Sequence, residues 1–253
     1  KWAAKPVTIP TLTTARPIDK TRIYLIDKGK AAQSEIRIGY VTDMPYDATG
    51  DYYRTGLANY ILGGAFSSRI NLNLREDKGF TYGARSSFAG SRLPAVFTAQ
   101  AGVKAAATDS SVVEFIKEIT NYGKDGITDE ELAFTKNSIG QRDALRYETS
   151  LQKAIFLSQI IDYDLPRNFV EQQSEILKKM TKEDIKSIAR KRLPVNKMVI
   201  TVVGDKNLIK PGLSRLGYEL IELDKEGKPL TAGDASTAPP AKAGSLSGGQ
   251  SKN

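Results

Sequence analysis

The segment that decides the fold is Asn59-Tyr-Ile-Leu-Gly-Gly-Ala-Phe-Ser-Ser-Arg-Ile-Asn-Leu-Asn-Leu-Arg-Glu-Asp-Lys-Gly-Phe-Thr-Tyr-Gly-Ala-Arg85. Ile70 to Leu74 alternates like a strand, but Asn suits strands poorly and Ser67 or Ser68 is a good helix N-cap. Residues on both sides are easier to assign. We expect a helix from Asp51, as its N-cap, through Leu62, ended by a left-handed Gly63-Gly64 pair.

Two short patterns in this segment identify a family. Leu62-Gly-Gly-x-Phe-x-Ser-Arg69 is followed by Leu74-Arg-Glu-x-x-Gly-x-x-Tyr-Gly83, which together specify about ten positions in one order. They resemble the pitrilysin/insulinase family of zinc peptidases, the inverzincins, in the half that does not bind metal. Residues 32–39 and 126–132 are similar to the neighbouring strand and helix start, so the resemblance covers roughly residues 22 to 223. It favours a helix over residues 70–74, with Gly79 as its left-handed end.

The resemblance implies roles for Arg75 and Tyr82. The metal-binding half of such peptidases carries His-x-x-Glu-His, and the homologous half contributes an arginine and a tyrosine seven positions apart, which here are Arg75 and Tyr82. The tyrosine hydroxyl would stabilise the oxyanion formed from the scissile carbonyl, and the arginine would orient the substrate or the tyrosine. Without the motif, an arginine complementing a helix dipole and a tyrosine in the core are the better explanation of the two residues, and the motif reverses that preference.

The Gly-Gly loop has two explanations that the sequence leaves open. Gly63, Gly64, Phe66 and Ser68, with the adjoining Ser67 and Arg69, are candidates for a substrate-binding loop. A helix end followed by the next N-cap explains the same residues. A phosphate-binding loop is disfavoured because no Gly-Lys-Ser or Gly-Lys-Thr follows at the required spacing.

The composition excludes several kinds of chemistry. The 253 residues include no His and no Cys, so a histidine- or cysteine-ligated metal site is excluded and a serine triad lacks its base. We therefore expect no cofactor in this chain and a zinc ion in a partner half that carries His-x-x-Glu-His. The formal charge of +8 is spread among acidic residues without a recognition module, which argues against nucleic acid as a partner. No apolar run approaches the length of a membrane span. A cell-envelope or periplasmic location is favoured over the cytoplasm.

Periodicity predicts the organisation of the chain. We expect an N-terminal arm over residues 1–20, one domain over residues 21–230, and a disordered Ala/Gly/Ser/Pro-rich tail over residues 231–253. Strands precede most of the helices, which predicts an α+β fold. The expected architecture is a two-layer sandwich of a mostly antiparallel sheet packed on helices, which the resemblance identifies with mitochondrial-processing-peptidase-like metallohydrolase domains.

Two functions from different classes remain at this point. The first is the non-metal-binding half of a zinc metalloendopeptidase, inactive alone, acting on peptide substrates with a fused or separate metal-binding half. The second is a non-catalytic structural or peptide-binding core subunit. Arg75 and Tyr82 favour the first, because a scaffold requires neither residue.

The isolated chain should therefore bind no stoichiometric zinc and hydrolyse no peptide, because it lacks the imidazole and thiolate groups that usually hold this ion. Elemental analysis after dialysis and a quenched-fluorophore peptide assay check this. One tightly held zinc per chain, or turnover that survives a chelator, would contradict the assignment to the non-metal half.

Overall fold

A single mixed β-sheet organises the protein. The computed structural model describes Lys5, residues 17–144 and residues 147–230. Within these ranges six strands form one sheet in the order β3-β4-β2-β5-β1-β6. Their bounds are β1 Arg22–Asp27, β2 Gln33–Val41, β3 Thr81–Ala89, β4 Val96–Lys104, β5 Val199–Gly204 and β6 Glu219–Leu223.

Most of the strand pairs are antiparallel. β3 pairs with β4, β4 with β2, and β2 with β5 in antiparallel register, whereas β1 pairs in parallel with both β5 and β6. Alternate residues along each strand point to opposite faces. One face carries the buried Ile36, Ile38 and Ile200 towards the helices. The other face carries Arg37 and Gln100 towards solvent. The predicted α+β two-layer sandwich is confirmed.

The helices cover the apolar face of the sheet. They are α1 Asp51–Asn59, α2 Arg69–Asn71, α3 Thr108–Asp125, α4 Asp129–Ala144, α5 Ser150–Tyr163, α6 Phe169–Lys179, α7 Lys182–Arg192 and α8 Lys206–Ser214. α1 continues as a π-helical segment over Tyr60–Gly64, and α2 as another over Leu72–Asp77. Phe115 and Ile119 of α3 and Ile185 of α7 are buried in the main core. Within the described ranges no helix is both long and apolar enough to cross a membrane.

Several predicted details are confirmed. Gly79 has φ +61°, the left-handed backbone expected at the end of the second helical segment. The sequence Thr128-Asp-Glu-Glu131 predicts a capping box at the start of a helix. Thr128 and Glu131 form it, because the backbone N–H of each donates to the other's side chain. The proposed domain bounds stay predictions. Of the expected arm only Lys5 and residues 17–20 are described, and the expected tail lies outside the described residues.

Some helix ends differ from expectation. Gly50 occupies the N-cap of α1, and Asp51 is the first helical residue. Its carboxylate accepts a 2.6 Å hydrogen bond from Arg192, which lowers the pKa of Asp51. The helical pattern that starts at Thr108 predicts an end at Gly123, but α3 continues to Asp125. Gly126 follows it with φ +76°, which glycine accommodates more readily than a residue with a side chain.

The Gly63-Gly64 pair is helical, not left-handed. The backbone continues through both glycines in the π-helical segment, and neither has a positive φ. The requirement at Gly63 is space, because a Cβ there would lie 2.2 Å from the hydroxyl of Ser86 on β3 and 2.4 Å from its backbone nitrogen. Glycine therefore lets the helical segment approach the strand closely.

Gly63→Ala should lower the free energy of unfolding by about 1 to 3 kcal/mol, because the added methyl group must displace backbone on β3. Gly56→Ala is the matched control, since Gly56 lies in α1 and a methyl group added there would meet no atom within 4 Å. The control should be neutral or stabilising by up to about 1 kcal/mol. Urea unfolding of both variants tests the comparison, and equal stabilities would contradict the close-approach argument.

Candidate functional site

A β-bulge places Tyr82 on the protein surface. Thr81 pairs with Val103 and Ala84 with Ala101, so Tyr82 and Gly83 together oppose Gly102. The Thr81 hydroxyl donates to the carbonyl of Gly102 at 2.7 Å and accepts from the N–H of Gly83 at 3.1 Å. These bonds hold the extra residue in position. As a result Tyr82 is 89% exposed, and its hydroxyl makes no hydrogen bond within the described part of the chain.

The buried amide of Asn71 links this strand to the Gly-Gly loop. Its oxygen accepts from the N–H of Ala84 at 2.9 Å, immediately after the bulge. Its nitrogen donates to the carbonyl of Phe66 at 2.7 Å. Asn71 is 3% exposed, so water offers little replacement for either bond. One side chain therefore fixes the loop and the bulge relative to each other.

The outer edge of β3 is closed by side chains from the preceding helical segments. Asn59 donates to the carbonyl of Ser86 at 2.8 Å, and Tyr52 donates to that of Phe88 at 3.0 Å. Together with the bond from Ala84 to Asn71, these contacts pair the outward-facing backbone groups of Ala84, Ser86 and Phe88 with side chains. Edge strands protected in this way are poor templates for pairing with another chain. A peptide is therefore not expected to pair as an added strand along residues 84–88. The bulge and the neighbouring cleft are the more accessible binding surfaces.

Arg75 packs against Phe66, which follows the Gly63-Gly64 pair. Its guanidinium carbon is 4.6 Å from the centroid of the Phe66 ring, a cation–π geometry. Its Nε lies 3.2 Å from the carboxylate of Glu76. The side chain is 35% exposed. Arg75 is thus oriented by Phe66 while part of its planar donor group stays accessible.

A cleft of about 490 Å³ lies between the Gly-Gly loop and the open face of the sheet. Glu35 and Arg85 line it with opposite charges, and Gly64, Gly83 and Gly102 line it with backbone. Arg85 donates two hydrogen bonds to the side-chain oxygen of Gln100, from Nε at 2.9 Å and from Nη2 at 2.6 Å, when the Gln100 amide is oriented with its oxygen towards Arg85. Backbone groups, one acid and one base suit the neutral, hydrogen-bonding backbone of a peptide.

The structure brings part of the predicted set together. Gly63, Gly64 and Phe66 all line the cleft, and Phe66 is 72% exposed. Arg75 and Tyr82 do not line it, although each adjoins a lining residue, Phe66 in one case and Gly83 in the other. The predicted pair therefore stands at the rim of the cleft instead of pointing into it.

Ser68 and Arg69 have structural positions and do not face the cleft. Ser68 is fully buried at the N-cap of α2, and its hydroxyl has no hydrogen-bond partner among the described residues. Its burial removes it from the substrate-contacting surface that the sequence pattern predicts. Arg69 donates to both carboxylate oxygens of Glu131, at 2.7 and 2.6 Å. Burial opposes ionisation of Glu131, yet the bond from Arg69 keeps the pKa of that carboxyl lowered, so the pair anchors α4 to the loop.

Other residues at the site were missed by the motif. Asn71 looked only like a poor strand residue, although a polar side chain between apolar neighbours is a signal of a buried hydrogen bond. Glu35, Arg85 and Gln100 reach the cleft from three different strands, at positions separated by up to 65 residues. Only the sheet order brings them to one place. No group of three or more acidic residues that could hold a metal ion occurs within the described ranges.

Comparison with known proteins identifies the class. Residues 1–139 match the family described as the peptidase M16 inactive domain, which is more than half of the 253-residue chain. The chain therefore belongs to the peptidase M16 inactive domain family. The resemblance carried by residues 62–83, to the non-metal-binding half of the pitrilysin-type peptidases, is confirmed.

Individual relatives agree with this assignment. The chain is 24% identical over 162 residues to the non-peptidase homologue YmxG of Helicobacter pylori, covering 63% of this chain and 37% of YmxG. The structure of a peptidase M16 inactive domain from Pseudomonas fluorescens superposes with TM-score 0.66 and 25% identity, over 78% of this chain and 47% of that one. A protease from H. pylori matches with TM-score 0.67 and 18% identity, over 79% and 48%. The chain thus spans half or less of the length of these proteins.

Asn71→Ala should cost about 1 to 3 kcal/mol of unfolding free energy, because it leaves the buried N–H of Ala84 and the carbonyl of Phe66 unpaired. Asn137→Ala, at an exposed position in the middle of α4, is the control and should change stability by less than about 0.5 kcal/mol. Thermal unfolding and amide exchange at residues 81–84 measure the effect. Unchanged exchange at Ala84 in the Asn71 variant would refute the bridging role.

Proposed function

We propose that this chain is the non-metal-binding half of a zinc metalloendopeptidase. It supplies Arg75 and Tyr82 to a partner half that carries His-x-x-Glu-His, and the two halves together act on peptides. Zinc, its activated water and the glutamate base belong to that partner half. The chain's membership of the inactive-domain family supports the division of labour.

The observation that carries the proposal is the position of Tyr82. A tyrosine that contributed to the core would be buried, but this one is 89% exposed on a bulge whose geometry is held by Thr81 and Asn71. Its phenol is left free to donate a hydrogen bond to a group outside the chain. Bulges commonly redirect side chains beside active sites.

The chemical role follows from the phenol and the position. When a scissile carbonyl becomes tetrahedral, negative charge develops on its oxygen, and a donor held at that point stabilises the transition state more than the ground state. The Tyr82 hydroxyl is such a donor. Arg75, stacked on Phe66 beside the cleft, offers a planar group with several donors to the substrate backbone.

The cleft gives the substrate a binding surface. A peptide lying over Gly64 and Gly83 meets backbone with no side chains in the way, between the carboxylate of Glu35 and the guanidinium of Arg85. Phe66 adds an exposed aromatic ring to the same surface. These features support a preference for extended peptides over highly charged ligands.

The second candidate is a non-catalytic structural or peptide-binding subunit. The description of YmxG as a non-peptidase homologue favours it, as does the engagement of Arg75 with Phe66 and Glu76 inside the chain. Both candidates use the cleft. They differ in whether the Tyr82 hydroxyl contributes to turnover.

A cell-envelope location also stays a proposal. One structural neighbour, PqqL of Escherichia coli, is described as a periplasmic protease and matches with TM-score 0.60 at 18% identity. Fractionation of cells producing this chain, followed by immunoblotting, tests whether it occurs in the same compartment.

Tyr82→Phe should lower kcat by about 10²- to 10³-fold in the protein reassembled with its metal-binding half, because one oxyanion donor is lost. KM should change much less, since the hydroxyl acts mainly in the transition state. Steady-state kinetics on a fluorogenic peptide measure both constants. Arg75→Lys should also reduce kcat/KM, because an ammonium does not reproduce a planar guanidinium.

Tyr52→Phe is the matched control. It removes a hydroxyl that donates to the same strand, at Phe88, so it should reduce stability by about 1 kcal/mol and leave kcat unchanged. If folded, assembled Tyr82→Phe protein keeps wild-type turnover, the catalytic role is wrong and the binding-subunit function replaces it.

A further inference from the structure

Helix α5, Ser150–Tyr163, presents apolar side chains on two opposite sides. Its inner side consists of the half-buried Phe156, Gln159, Ile160 and Tyr163, spaced to face one direction of a helix. The Phe156 ring lies 5.4 Å from that of Phe169, and the Tyr163 ring 4.1 Å from that of Tyr46. These contacts attach the helix to the rest of the fold.

The other side of α5 has no cover within the described ranges. We define its outer face as five residues at helical spacing, all exposed to solvent: Leu151, Ala154, Leu157, Ser158 and Ile161. Leu151 is 70% exposed and Ile161 is 78% exposed. No residue of the helix is fully buried. Large apolar side chains exposed together on one side of a helix are typical of a surface that packs against a partner.

The surface around α5 extends this apolar area. Arg92 donates to the carbonyl of Asp162 at 3.0 Å, which places the neighbouring Leu93 near the end of the helix, and Leu93 is 48% exposed. Lys153 and Asp162 are the charged residues of α5 itself, so the helix has no net formal charge. The partner must therefore be recognised by apolar contact and shape rather than by charge.

We propose that the outer face of α5 is the surface on which the metal-binding half packs. This inference rests on the proposed function for the existence of that half and adds where it binds. The solved structures from Pseudomonas fluorescens and H. pylori are each about twice as long as the part that superposes, so each has a second segment large enough to form a domain. A domain packed on α5 would cover both the helix and Leu93.

The surface has three alternative occupants. A second copy of this chain would meet it across the 14-residue helix, about 21 Å long, and the oligomeric state of the chain alone distinguishes that case. A membrane surface favours helices rich in Lys and Arg, and α5 has one Lys. The segment 231–253 has one Leu among its 23 residues and offers little apolar surface.

The absence of cysteine makes a direct test possible. Ile161→Cys on α5 and Leu208→Cys on α8 each create one thiol at an exposed apolar position, with Leu208 66% exposed. Maleimide labelling of each variant is followed in this chain alone and after addition of the His-x-x-Glu-His half of the same protein. We expect labelling at position 161 to slow at least 10-fold on addition, and labelling at position 208 to stay unchanged.

Association is measured separately from turnover. Leu151→Glu with Ile161→Glu should weaken binding of the two halves at least 10-fold in sedimentation or calorimetry, at low and high salt alike, whereas Leu208→Glu should not. Circular dichroism checks that both variants are folded. If the halves associate through α5 without hydrolysing peptide, the proposed function fails and the interface stands.

Three results would overturn the interface. They are fast labelling at position 161 in a catalytically active complex, unchanged association of the Leu151/Ile161 variant, and slow labelling in the chain alone together with a sedimenting dimer. The last result would assign the face to a second copy of this chain.

Discussion

The close approach of the Tyr60–Gly64 segment to β3 is the constraint on which the site depends. Gly63 has no side chain, so the segment comes near enough to Ser86 for Asn59 to exchange two hydrogen bonds with that residue, at 2.8 and 2.7 Å. Asn71 adds the next link, to Ala84. Because these contacts fix the strand from one side, the bulge at Tyr82 has a defined position relative to the cleft.

Both helical segments next to β3 have π-helical geometry. One spans Tyr60–Gly64 and the other Leu72–Asp77, so Gly63 and Arg75 each lie in a widened turn. Such turns occur often at functional sites, because the extra residue redirects the side chains that follow. In this protein the second segment brings Arg75 over the Phe66 ring. Local backbone geometry and the proposed chemistry are thus connected.

The two surfaces proposed for binding differ in character. The cleft beside Phe66 combines backbone with opposite charges, which suits a peptide that binds and leaves. The outer face of α5 is apolar, which suits a permanent neighbour. A chain with both surfaces is consistent with a half that meets its partner on one side and substrate on another.

The sequence by itself determined the family, the two-layer fold and most element positions, because periodicity and capping are local properties. Gly79 and the Thr128–Glu131 capping box were predictable for that reason. It also determined that histidine and cysteine chemistry is absent from the chain.

Tertiary structure decided which residues reach the site. Gly63 was expected to be left-handed, but the need for space against Ser86 is a contact between residues 23 positions apart, which no local pattern reports. Ser68 matched the motif and is buried, whereas Asn71 was overlooked and joins loop to strand. The apolar spacing of residues 150–163 predicts helix α5 but not that its outer face is exposed, because periodicity identifies an apolar residue without identifying its neighbour.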